Sequence, residues 1–178
     1  MLAHCGTGGT GMLTRRMMLL APVSLLGACG GIGARSTAGL APDSQLIVYR
    51  HADRSGELLS GQGHRRAAAF ATALDGVPVD AIHALKLERN LQTAAPLAAA
   101  RGLRVQTLTP VRLAEKLARS ARGRSVVWIG NMNNLRAIWA GLALPDAPPL
   151  DYGALVILST DAAGELHSTR HMVAPLAD

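Results

Sequence analysis

The chain has 178 residues, and its 18 Lys and Arg against 12 Asp and Glu leave a net charge of +6. That surplus is scattered with no dense basic stripe, and aromatic residues make up only 3% of the chain, which argues against nucleic-acid binding through phosphate contacts and base stacking. The length suits one domain with one core once a leader is set aside.

The leader comes first in chain order. From Met12 the sequence reads MLTRRMMLLAPVSLLGACGG, with two arginines, an apolar stretch over 17–26 and small residues closing on Cys29. That order is a secretory signal, and the apolar stretch is too short for a retained membrane span. LGAC, residues 26–29, resembles a bacterial lipobox, which implies that Cys29 is lipidated and becomes the new first residue. TRRMMLL, residues 14–20, is similar to a twin-arginine export signal. The expected organisation is a signal over 1–29, a tether rich in Gly, Ala and Ser over 30–42, and a folded domain over 43–178. The expected location is outside the cytoplasm of a bacterium, either lipid-anchored at the cell membrane or periplasmic. Cys5 leaves with such a leader and Cys29 is acylated, so no structural disulfide is expected.

Strands and helices then alternate. QLIVY (45–49) is a continuous apolar run of strand length, and residues 63–74 place Ala67, Phe70, Ala71 and Leu74 at helical spacing after Ser60, a plausible N-cap. A second strand is expected over 80–85 and a helix over 90–102, whose first turn is left open by Pro96. A strand over 104–108, a helix over 111–123, a strand over 125–130 and a helix over 134–142 follow. ALVILST and ELHSTRH, flanking the DAAG turn, read as an antiparallel pair. This pattern predicts an α/β fold, a three-layer α/β/α sandwich with a mainly parallel sheet and a C-terminal antiparallel strand.

In such sheets ligands sit beyond the carboxyl ends of the strands. Arg50 and His51 follow the first apolar run directly, Arg89 lies just past the second strand, and Gly130 and Asn131 end the fourth. Taken alone, an Arg-His pair at a strand exit is more simply a surface cluster with Asp53 or Glu57. The remaining histidines read as structural: His64 at a helix start, His83 in a buried strand, and His167 and His171 on one strand face. A metal site needs three or four converging ligands, so none is expected, and no cofactor is implied. Trp128 and Trp139 are most simply core residues.

YRHADRSGELLSGQGHRRA resembles the opening block of the histidine phosphatase superfamily, the phosphoglycerate-mutase-like fold. Arg50 and His51 fit its signature, Ala52 stands where the family has glycine, Asp53 supplies the acidic residue, and Leu59, Ser60 and Gly63 fall at matching intervals. ERNLQTAAPLAAARGL is similar to the second block through Arg89, Thr93 and Ala94, with Leu85 where a serine is often found. The third block is normally Gly-His, and here Gly130 is followed by Asn131. The resemblance runs from Gln45 to about Leu158, and the short chain is similar to the small phosphohistidine-phosphatase-like branch.

The resemblance implies a phosphatase acting on a phosphomonoester or phosphoramidate through a phosphorylated His51. Guanidinium forks match phosphoryl oxygens bidentately, so Arg50 and Arg89 form the expected clamp. The two neighbouring cations should depress the His51 pKa and leave the ring neutral and nucleophilic. Asn131 is expected to bind the phosphoryl group through its amide in place of a charged histidine, slowing the enzyme; as an alternative, Asn131 only caps the helix that follows, with Asn133 sharing the task. Asp53 and Glu115 are the candidate general acids, although a solvated helix face suits Glu115 better. The partner is a phosphorylated small molecule or protein side chain. The competing function is a noncatalytic module that binds phosphorylated ligands on the same fold.

Overall fold

The computed structural model describes residues 39–177. The signal, the lipobox Cys29 and residues 30–38 of the tether lie outside the described residues. Twelve elements follow in order: β1 (Gln45–Arg50), β2 (Arg54–Ser55), β3 (Leu58–Leu59), α1 (Gly61–Ala73), β4 (Ala81–Leu85), α2 (Glu88–Arg101), β5 (Val105–Leu108), α3 (Leu113–Ser120), β6 (Ser125–Gly130), α4 (Met132–Gly141), β7 (Ala154–Thr160) and β8 (Leu166–Met172).

Six strands form one sheet in the order β5-β4-β6-β1-β7-β8. β5, β4, β6 and β1 run parallel, while β7 is antiparallel to both β1 and β8. The α/β architecture, the mainly parallel sheet and the antiparallel C-terminal pair are as the alternation predicts. Successive strand side chains point to opposite faces, and the core divides accordingly. Leu46, Val48, Val126 and Trp128 pack with Leu113, Leu117, Leu135, Ile138 and Trp139 from α3 and α4. Ile47, Tyr49, Ile82, Val127 and Ile129 pack with Phe70 of α1, Leu74 at its C-cap and Leu97 of α2. Both faces of β1 and β6 are therefore dry, which explains their uninterrupted apolar sequences, and each fully buried Leu or Ile contributes about 1.5–3 kcal/mol.

Local chemistry moves several boundaries. Ser60 caps α1, its Oγ accepting from the Gly63 N–H at 3.1 Å, so the helix starts at Gly61 and not 63. α2 starts at Glu88 and runs on through Pro96, which leaves the Gln92 carbonyl without its helical donor. α3 is shorter than the expected 111–123, because Arg112 sits at φ 51 in the left-handed region and stops the helix from extending backward. α4 starts at Met132 and not 134: the Asn131 side chain caps the Asn133 and Asn134 N–H groups while Asn134 Oδ1 accepts from Asn131 N at 2.8 Å. Asn134, not Asn133, is thus the side chain that shares the cap. The β2–β3 hairpin, with two residues in each strand, is too short to leave a periodic signal. No helix among the described residues is long and apolar enough to cross a membrane.

Candidate active site

The carboxyl ends of β1, β4 and β6 deliver four of the residues singled out from sequence to one cleft of about 250 Å³. Arg50, His51, Arg89 and Asn131 line it together with Arg54, Met132 and Asn133. Arg50 pairs in register with Gly130, and the His51 N–H continues the ladder to the Gly130 carbonyl at 2.9 Å, so strand pairing fixes the clamp and the nucleophile candidate beside the start of α4. Thr93 ties α2 to them: its Oγ1 accepts from Ala52 N at 3.0 Å and donates to Arg89 O at 2.7 Å.

Two glycines allow this close approach. A Cβ on Gly63 would lie 1.9 Å from the Asp53 carbonyl, and one on Gly130 would lie 2.1 Å from Asn134 Oδ1. Ala52, where the resembled signature has glycine, is tolerated because its φ lies outside the positive region.

His51 is 3% exposed and forms the floor of the cleft. Its Nδ1 lies 2.9 Å from the Ala52 carbonyl. A carbonyl only accepts, so Nδ1 carries the proton and the lone pair of Nε2 is available. The His51 pKa is lowered, as the sequence argument expects, but the leading cause is burial. The Ala52 carbonyl opposes the shift, and Arg50, Arg89 and Arg54 reinforce it.

Each guanidinium is held by a partner that leaves donors free. Arg50 donates through Nη1 to Leu150 O at 2.5 Å and lies 3.9 Å above the Tyr152 ring, whose centroid is 5.8 Å from that of His51. Arg89 donates through Nη1 to Glu57 Oε2 at 2.6 Å. The Nε atoms of both arginines are buried without a hydrogen-bond partner, an arrangement in which an anion would relieve the desolvation cost. Arg54, on β2, is held by the Gly56 carbonyl at 2.8 Å and adds a third guanidinium to the wall.

The candidate acids lie elsewhere. Both Asp53 oxygens accept from Arg66, at 2.5 Å from Nε and 3.3 Å from Nη2, and Arg66 also donates to Val173 O. Burial alone would raise the Asp53 pKa; the Arg66 hydrogen bonds outweigh it and hold the carboxyl below its usual value. A carboxyl held ionised is a poor proton donor, and Asp53 is absent from the cleft lining. Its observed task is to lock the loop after His51 onto α1. Glu115 sits on the exposed face of α3 with Arg112 and Arg119, away from the cleft. Asn131 lines the cleft and caps α4 at once: its Oδ1 is engaged by the helix N–H groups, which leaves Nδ2 as the donor it can present.

Among the other histidines, His83 is buried and bonds Ser120 Oγ through Nε2 at 2.8 Å, and His64 is exposed. His167 lies near Asp161 and Glu165 at the exposed β7–β8 turn, without His171. Sequence reasoning missed Arg54, Tyr152 and Arg66 altogether. Tyr152 and Arg66 act across long sequence separations, for which a single sequence carries no local signal.

Residues 46–125 match the family model of the histidine phosphatase superfamily, branch 1. No curated protein matches the chain by sequence. Among solved structures, the protein histidine phosphatase SixA complexed with tungstate superposes with a TM-score of 0.58 at 17% identity, covering 72% of this chain and 96% of that one. A mycobacterial glucosyl-3-phosphoglycerate phosphatase with inorganic phosphate gives 0.52 at 17%, covering 74% and 97%. The alpha-ribazole phosphatase of Shigella flexneri gives 0.56 at 15%, covering 73% and 96%. At these identities the superpositions show a shared fold, and the likeness to the histidine phosphatase superfamily rests on the sequence match as well.

Proposed function

We propose that this histidine-phosphatase-like chain is a phosphatase that hydrolyses a phosphomonoester or phosphoramidate through phosphorylation of His51 Nε2. The family match supports phosphatase activity. The observation that carries the finer reading is the meeting, in one small cleft, of a buried imidazole with Nε2 free and two arginines with unpartnered buried Nε atoms. Arg50 and Arg89 neutralise the phosphoryl oxygens, and Nε2 attacks phosphorus from the cleft floor. The Ala52 carbonyl holds the Nδ1 proton and stabilises the positive charge that develops on the ring.

Asn131 Nδ2 supplies a neutral hydrogen bond where a second histidine would supply a charged one. One preorganised oxyanion donor is worth about 10² to 10³ in rate, and the amide recovers part of it. A second reading, a noncatalytic binder of phosphorylated ligands, draws on the engagement of the Asn131 carbonyl oxygen in capping α4. The export signal and the lipid on Cys29 belong to the same proposal, as the means by which the domain is held outside the cytoplasm at a membrane.

Incubating the protein with a generic aryl phosphate and quenching in acid and in base tests the reading. A covalent phosphoryl group that survives base and is lost in acid is expected of a phosphohistidine. Tungstate binding with no turnover and no covalent phosphate would favour the binding module.

A further inference from the structure

Hydrolysis of a phosphorylated His51 is accelerated by a group that takes a proton from the attacking water, and neither acid candidate from the sequence is placed for that task. Asp53 has both oxygens on Arg66, and Glu115 is outside the cleft. Glu57 remains. It follows Gly56 at the tip of the β2–β3 hairpin, its side chain is 77% exposed, and its Oε2 is 2.6 Å from Nη1 of Arg89, which lines the cleft. The hairpin is pinned to the helix that carries Arg89, because Leu59 N donates to Gln92 Oε1 at 2.9 Å, and its base is closed by the Ser60 N–H donating to Asp53 O at 3.0 Å.

Displacement at phosphorus is in line, with the attacking and leaving atoms on opposite sides. His51 forms the floor, so the atom opposite Nε2 lies toward the cleft mouth. Glu57 does not itself line the cleft, but its exposed carboxylate is bonded to an arginine that does, which puts it beside the cleft on the solvent side from which water enters. We propose that Glu57 is the general base that activates water against phospho-His51, a role that rests on the phosphatase reading above. In that step a water proton passes to a Glu57 carboxylate oxygen and the water oxygen forms a bond to phosphorus. The P–Nε2 bond breaks with its electron pair returning to Nε2, and Nδ1 keeps its proton on the Ala52 carbonyl. Inorganic phosphate leaves, and Glu57 gives its proton to solvent or to the leaving group of the next substrate.

Rapid mixing of the full chain with nitrophenyl phosphate separates the two half-reactions, because nitrophenolate leaves with little need of a proton donor. For Glu57→Gln the expected result is a burst of about one equivalent of nitrophenolate at close to the wild-type rate. Steady-state turnover should then fall about 10²-fold or more, with base-stable phosphoenzyme accumulating. Tungstate should bind the variant at least as tightly as wild type, since the carboxylate no longer competes for Arg89, and this also shows that the variant is folded. A burst slowed in proportion to turnover would overturn the proposal and leave Glu57 as a positioning residue for Arg89. Unchanged turnover would overturn it as well. Absence of a phosphoenzyme in both proteins, with His51→Ala as active as wild type, would overturn the phospho-His51 reading itself.

Discussion

The two walls of the cleft are built on different terms. The wall from β1 and α2 carries Arg50, His51 and Arg89, and its supports are devoted to placing them: the Thr93 hydroxyl bridges Ala52 and Arg89, the Ala52 carbonyl orients the imidazole, and Gly63 lets the loop approach α1. The wall from β6 and α4 carries Asn131, whose side-chain oxygen is engaged in starting the helix, with exposed Met132 and Asn133 beside it. Chemistry is concentrated on one wall, and the other offers a single amide N–H₂ and the start of a helix. Changes to the first wall should therefore affect turnover far more than fold, while changes to the second should affect both by small amounts.

The largest effect is expected from His51→Ala, which removes the proposed nucleophile and should reduce aryl phosphate hydrolysis to background while the thermal transition stays within a few degrees of wild type. Residual covalent turnover in this variant would break the distinction between the walls. Arg89→Ala should cost about 10² to 10³ in kcat/KM and weaken tungstate binding in parallel, because the same guanidinium serves ground and transition states. Kinetics and calorimetry on one preparation check both.

Asn131→His sharpens the comparison from the other wall. A charge-assisted bond exceeds a neutral one by about 1 kcal/mol, which predicts a kcat gain of roughly fivefold to tenfold, greatest on the acid side of neutrality. Loss of the cap on α4 should cost about 1 kcal/mol of stability at the same time. A thermal melt beside a pH–rate profile measures the two effects; a gain in rate with no loss of stability would mean that the cap is dispensable.

The pH dependence of the wild type gives a smaller but cleaner effect. Because the His51 pKa is lowered from 6.5, the neutral ring persists below that value, and if His51 is the nucleophile the acid limb of kcat/KM should fall below pH 6.5. An acid limb above pH 6.5 would mean that His51 is not the group that must be neutral. Cys29→Ser should leave all of these kinetics unchanged and move the protein from the membrane to the soluble fraction. Equal membrane retention of both forms would count against the lipid anchor.

Much of this arrangement was legible in the chain. The dry strands β1 and β6 announce themselves as apolar runs because both of their faces are covered, and the Arg50-His51, Arg89 and Gly130-Asn131 positions follow from knowing which strand ends carry chemistry. The hairpin of β2 and β3 was not legible, since two-residue strands have no periodicity, and with it the contact of Glu57 with Arg89 was hidden. Asp53 illustrates a different difficulty. Its place beside His51 suggests a proton donor, but its function depends on Arg66, thirteen residues on, which turns to meet it only once α1 is packed. Tyr152 under Arg50 is set by the long connection before β7, a partner that no local pattern encodes. Sequence showed the residues that follow strands; it could not show which side chains from turns and distant loops would hold them.

The measurement closest to the central claim is the position of the phosphoryl group on the protein. The enzyme would be mixed with aryl phosphate, quenched within the first turnover in base, digested and mapped by mass spectrometry. The account predicts a base-stable phosphoryl adduct on the peptide that contains His51, absent from His51→Ala. An adduct on Ser60, or on a histidine other than His51, or turnover with no adduct at any time, would contradict it.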